Sequence, residues 1–246
     1  MAASGSCHLM GRREALGTLG ALGAGLVFPA RAANPPRDGV APDCIVVPEM
    51  TEGPFFVEEK LERSDLTTGT AEPFVTKALP LLLQIGVFQA KGRACSPLVG
   101  AQVDIWHASA EGVYSGEASG DIQDKDTSGE NYLRGYQRTD ENGAVSFKTI
   151  YPGWYPGRTV HIHFKIRTLS KPGRPAFDFT SQLFFDDALN DLILSKPPYN
   201  TRGERRKRNS NDGIYRRGHG ATLLLNAKES RDAKSCAAAF NIGLQI

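Results

Sequence analysis

The chain has 246 residues, 40% hydrophobic and 23% charged, proportions ordinary for a soluble globular protein. Its formal charge of +2 comes from residues 1–33, where Arg12, Arg13 and Arg31 face only Glu14, so the rest is neutral. That balance argues against a nucleic-acid partner, and no apolar run after residue 33 is long enough to span a bilayer.

Residues 1–33 form the first predicted element. Gly11-Arg12-Arg13-Glu14-Ala15-Leu16 precedes a weakly apolar run to Phe28, which ends at the small residues Pro29-Ala30-Arg31-Ala32-Ala33. Paired arginines before such a run predict a twin-arginine export signal, and five glycines would weaken any soluble helix there. That route carries already folded proteins, often because a cofactor must be loaded before export. Export would remove Cys7 and permit one disulfide among Cys44, Cys95 and Cys236, with Cys44–Cys95 the preferred pairing.

Residues 34–246 read as one domain with no internal repeat. Residues 34–79 predict an extended segment wrapping the surface, including the aromatic turn Thr51-Glu-Gly-Pro54-Phe55-Phe56. Leu81–Phe88 has the length of a strand. In Gln102–Trp106, Val103 and Ile105 alternate with Gln102, Asp104 and Trp106. A long Gly-, Ser- and Asp-rich loop follows, from His107 to about Tyr132. The turn Thr139-Asp-Glu-Asn-Gly143 leads into a strand over 144–150. Phe179–Phe185 predicts another strand, and Asp186–Ser195 one short helix opened by an acidic cap. Arg205-Arg-Lys-Arg208 reads as a solvated surface loop. An apolar run, Ala221–Leu225, and a strand near Ile242 close the chain. The whole predicts an all-β fold, a two-sheet antiparallel β-sandwich with long loops and at most one or two short helices. The 26 glycines and 15 prolines fit its many turns.

The most informative stretch is Tyr151-Pro-Gly-Trp-Tyr155-Pro-Gly-Arg158-Thr-Val-His161-Ile-His163-Phe-Lys-Ile166. Val160, Ile162, Phe164 and Ile166 alternate with His161, His163 and Lys165, so a strand would project both imidazoles from one face. His-x-His on a strand is a two-point grip for a metal, and the preceding turn brings Tyr155 and Arg158 close to it.

Together with Trp106-His107…Gly112-Val-Tyr114 and Thr139-Asp-x-x-Gly143, in that order, this stretch resembles the intradiol ring-cleavage dioxygenases. These are non-haem iron(III) enzymes related to protocatechuate 3,4-dioxygenase and catechol 1,2-dioxygenase. The likeness covers roughly residues 44–220 and is greatest to an exported, single-chain branch. It implies Fe(III) held by Tyr114, Tyr155, His161 and His163, with Tyr155 and His163 axial. It implies Arg158 facing the substrate with Gln182 as its partner. It also implies cleavage of a catechol-type substrate by dioxygen to a cis,cis-muconate-type diacid, with Tyr155 displaced and acting as a base. Pro54, Phe55 and Gly112 are expected to wall the pocket, and Tyr132 and Tyr136, the rival phenols, to serve in packing. Ala108 stands where relatives often carry Cys. The rival readings are a non-catalytic prealbumin-like binding module and a zinc or copper hydrolase built on the same histidines. Oligomeric state and the choice among catechol, hydroxyquinol, protocatechuate and larger lignin-derived catechols stay open.

Overall fold

The computed structural model describes residues 45–246 except 59, 93, 121, 172 and 173. The expected export signal and Cys44 lie outside the described residues.

Among the described residues ten strands make two sheets. In the first, β5 (Arg134–Arg138), β4 (Gln102–Trp106), β7 (His161–Lys171) and β8 (Arg174–Phe184) pair antiparallel in that order. The second is centred on β2 (Pro80–Lys91). On one side β2 pairs antiparallel with β6 (Ala144–Ile150) and β3 (Ala94–Pro97). On the other it pairs with β10 (Cys236–Leu244), whose far edge carries β1 (Ile45–Val46) and β9 (Lys228–Glu229).

The period-two pattern builds the core. Leu81, Leu83, Ile85 and Val87 of β2 and Ile162, Phe164 and Ile166 of β7 are all fully buried in one cluster between the sheets. Each such side chain contributes roughly 1.5–3 kcal/mol. A one-residue slip of β7 would bury His161, His163 and Lys165 in the core instead, so the apolar set fixes the register.

The described part of the 34–79 segment runs across both sheets. The Met50 amide donates to the Thr180 carbonyl at 2.9 Å and the Leu66 amide to Lys148 at 2.9 Å. A short α1 (Pro73–Thr76) precedes β2. The predicted helix is α2 (Asp187–Leu194), where Asp186 Oδ1 accepts from the Ala188 and Leu189 amides at 2.8 and 3.3 Å.

Some expectations need correction. The second sheet is mixed rather than antiparallel, because β10 runs parallel to both β2 and β1. The described residues hold three short α-helices rather than one or two, the third being α3 (Gly213–Arg217). Part of the Ala221–Leu225 run falls in a 3₁₀ turn, Gly220–Leu223. Arg205 is not a solvated cation, since its side chain is 4% exposed and bound to Asp187 and Asp191. Cys95 is disulfide-bonded and Cys236 is a buried free thiol. Among the described residues no helix is long and apolar enough to cross a membrane.

Candidate metal centre

Residues opposite one another on neighbouring strands share a face. Arg134 of β5 pairs with Trp106 of β4, Trp106 with His163 of β7, and His163 with Gln182 of β8. This row crosses the sheet on the side away from the core, where His161 also projects. Trp106 stacks on the His163 ring at 4.9 Å, with planes 8° apart. His161 holds Thr159 O through Nδ1 at 2.7 Å, which leaves Nε2 as a lone-pair site. The two Nε2 atoms lie 3.0 Å apart. Both rings are almost fully buried, and burial holds both imidazoles well below the usual histidine range. That favours the neutral rings, the form a metal would require.

Two loops bring the phenols in. Tyr114 and Tyr155 have ring centroids 5.6 Å apart, and Tyr155 lies 5.5 Å from His161. The Tyr155 hydroxyl is 3.2 Å from His161 Nε2. The loops approach backbone to backbone. A Cβ on Gly112 would stand 1.9 Å from the Trp154 carbonyl oxygen, and one on Gly153 2.2 Å from that of Ala110. Glycine at both positions is what lets Tyr114 and Tyr155 converge. The Tyr114 backbone is clamped by Gln123, whose Oε1 accepts its amide at 2.8 Å and whose Nε2 donates to its carbonyl at 3.0 Å. Thr127 Oγ1 donates to the same carbonyl at 2.6 Å.

Burial raises both phenols above the ordinary tyrosine range, Tyr114 furthest, with Tyr155 beside it adding to the effect. The Tyr114 hydroxyl is buried, couples electrostatically to Tyr155 and makes no well-formed hydrogen bond. Neither phenol would ionise unaided at neutral pH.

Arg158 brings a cation to the histidine pair. Its Nη1 is 3.3 Å from His161 Nε2, Nη2 donates to Gln182 Oε1 at 2.6 Å, and Nε donates to Asp212 Oδ2 at 2.9 Å. Gln182 is anchored by donating to the Thr51 carbonyl at 2.9 Å. Burial alone would raise the Asp212 carboxyl, but the Arg158 charge and the Thr159 and Tyr215 amides outweigh it and hold it below the usual carboxylate range.

The Thr51–Phe56 turn covers the site. Phe55 stacks on Tyr114 at 4.2 Å and meets Tyr155 edge-on at 5.9 Å. Lys165 Nζ holds Glu52 at 2.6 Å, and Arg134 Nη1 donates to the Phe55 carbonyl at 2.5 Å. Pro54 is exposed beside Phe55. Gly112 contacts the Trp154 backbone. The rival phenols lie elsewhere: Tyr132 is in the main core, and the Tyr136 hydroxyl donates to Glu62 at 3.3 Å. Sequence reading overlooked Asp212, Gln123 and Arg134. Asp212 carried one usable signal, an acidic residue before an apolar-aromatic pair, the mark of a helix cap.

A family model described as Dioxygenase matches residues 51–245. An intradiol ring-cleavage dioxygenase from Tetranychus urticae superposes with a TM-score of 0.69 at 32% identity, covering 82% of this chain and 95% of that one. The chain belongs to the intradiol ring-cleavage dioxygenases. The dioxygenase domain of a carbohydrate-binding fusion protein from Streptomyces sp. SirexAA-E gives a TM-score of 0.55 at 30% identity, covering 82% and 99%. A chlorocatechol 1,2-dioxygenase of Pseudomonas putida is 26% identical over 155 residues, 55% of this chain. That match spans 52% of the Pseudomonas protein, so the chain covers about half of this curated relative.

The dioxygenase site fits a metal ion. Two imidazole nitrogens bound to one ion at about 2.0–2.1 Å and at right angles stand about 3.0 Å apart, the separation seen here. The Tyr114 hydroxyl, which makes no well-formed hydrogen bond, and the Tyr155 hydroxyl would add two phenolic oxygens to the two nitrogens. A hard, highly charged ion such as iron(III) favours that mixture. Among the described residues no three His, Cys, Asp or Glu side chains come together as a metal cluster, so the donor set depends on the phenols.

Proposed function

We propose that this protein is a non-haem iron(III) intradiol dioxygenase, opening catechol-type rings between the two hydroxylated carbons with dioxygen to give cis,cis-muconate-type diacids. The reading is carried by one observation: two imidazole Nε2 atoms 3.0 Å apart, flanked by two buried phenols and a guanidinium. Tyr114, Tyr155, His161 and His163 would hold the iron. When bound, it would supply the charge that keeps both phenols and the catechol ionised and draws electron density from the ring.

The side chains do the rest. Tyr155 sits next to exposed Pro156 and Gly157, on the approach from solvent. As a phenolate it is placed to accept a catechol proton through its hydroxyl oxygen. Arg158 points Nη1 at the histidine pair and so offers charge where negative oxygen develops. Losing such a donor costs about 3–4 kcal/mol of barrier. Gln182 fixes the guanidinium through Nη2, and Asp212 fixes it through Nε. Phe55 lies over Tyr114 and covers its ring.

The test is to purify the protein, add ferric iron and follow oxygen uptake with catechol, hydroxyquinol and protocatechuate. The expected result is a reddish protein that consumes one dioxygen per ring opened. A colourless iron-loaded protein with no uptake on any catechol would refute the reading. We also infer export through residues 1–33, because of Arg12-Arg13 and the small residues ending at Ala33. Replacing both arginines with lysine should retain the protein in the cytoplasm.

A further inference from the structure

We propose that Asp212 is the positioning residue that aims Arg158 at the reacting centre. The inference rests on the proposed dioxygenase reading and adds to it a residue 54 positions from Arg158 in the chain. The Asp212 side chain is 1% exposed, and each of its oxygens is engaged. Oδ2 accepts from Arg158 Nε at 2.9 Å and from the Thr159 amide at 2.8 Å. Oδ1 accepts from the Ile214 and Tyr215 amides at 2.7 and 3.0 Å. Three backbone N–H groups therefore fix the carboxylate before it meets the guanidinium.

The consequence for Arg158 follows from its planar fork. Nε is held by Asp212 and Nη2 by Gln182, at 2.9 and 2.6 Å. With two sides of a rigid plane fixed, the third has one direction left, and Nη1 meets His161 Nε2 at 3.3 Å. Gln182 is neutral and offers one acceptor. Asp212 supplies both a second point of attachment and the opposite charge that keeps a largely buried cation in place. The Thr159 amide donates to the same carboxylate oxygen, so Asp212 also ties down the backbone between Arg158 and His161. Thr159 Oγ1 is braced in turn by Asn209 at 2.7 Å.

A purely structural role is the competing account, since Asp212 also caps α3. Asp212→Asn and Asp212→Ser separate the two, because both residues cap helices well and neither carries the charge. In the iron-loaded enzyme we expect each to lower kcat about tenfold to a hundredfold, with iron content and the phenolate-to-iron absorption band retained. In an Arg158→Ala background the same changes should cost less than about twofold, because their effect passes through the missing guanidinium. A second measurement needs no iron: phenylglyoxal labelling of Arg158, read by peptide mass spectrometry, should be several-fold faster in D212N than in wild type.

Wild-type kcat in D212N, loss of iron from it, an equal loss in the R158A background, or unchanged labelling would each overturn the proposal. Failure of the wild-type enzyme to open any catechol would overturn the dioxygenase reading and this proposal with it. Wild-type turnover beside an unaffected D212N would sink only the role of Asp212.

Discussion

Replacing Gly112 with Ala tests how the two tyrosine loops are brought together. Gly112 has φ +72°, and the added Cβ would lie 1.9 Å from the Trp154 carbonyl oxygen and 2.8 Å from its carbon. Both obstacles are backbone, so no side-chain rotation relieves them. Gly129 is a control with φ +83° and nothing within 4 Å of its Cβ position. A left-handed non-glycine residue costs about 1–2 kcal/mol, and both variants carry that cost. Gly112→Ala also forces the loops apart, adding about 1–3 kcal/mol of overpacking. The metal-free protein should therefore lose about 1–2 kcal/mol in G129A and about 2–5 kcal/mol in G112A by urea denaturation. Their midpoints of thermal unfolding should differ by roughly 2–12 °C. Tyr114 is two residues from the collision and Tyr155 one residue beyond Trp154, so G112A should also bind less ferric iron, measured by colour and metal content. Equal stability and equal iron in the two variants would refute the interlocking of these loops as the cause of convergence.

Tyr114→Phe removes a buried hydroxyl that lacks a well-formed hydrogen bond, so the metal-free protein should be as stable or up to about 1–3 kcal/mol more stable. The same change should abolish the iron colour; a destabilised variant that keeps its colour would contradict both halves. His107 holds Ala108 O and Thr149 Oγ1 at 2.9 and 2.7 Å, and burial pushes its pKa down to about 4. Its folded pKa lies below the unfolded value near 6.5, so the unfolded chain takes the proton first. Stability from His107 is complete above pH 6.5 and falls by about 3 kcal/mol as pH drops to 4. His107→Gln should remove that slope from denaturation midpoints at pH 7 and pH 4.5, and an unchanged slope would locate the acid sensitivity elsewhere. Arg205→Ala removes the buried cation that bridges Asp187 and Asp191, of which Asp191 keeps Arg208, and should cost about 1–3 kcal/mol. A loss below 1 kcal/mol would return Arg205 to the surface-loop class.

Much of the candidate site was legible because its histidines share a strand. The alternation from Val160 to Ile166 states which face is core, and His161 and His163 take the other by default. The turn before β7 keeps Tyr155 and Arg158 within six residues of His161, so sequence proximity stood in for spatial proximity. Tyr114 needed more. Its placement depends on the Gly112–Trp154 and Gly153–Ala110 contacts, which no local period encodes. Arg205 misled for a related reason: a run of four basic residues looks solvated until Asp187 and Asp191 of α2 are known to face it.

By itself the sequence determined the strand periods, the turn at Tyr151–Arg158, the cap of α2 and the residue types available to bind a metal. These depend on steric and hydrophobic preferences acting over a few neighbouring residues. Only the tertiary structure decided that β10 lies parallel to β2, that Gln182 stands across from His163, and that Asp212 closes on Arg158. Those pairings join distant segments whose meeting depends on how the whole core packs, and a buried charge selects its partner only after the fold has removed water from around it.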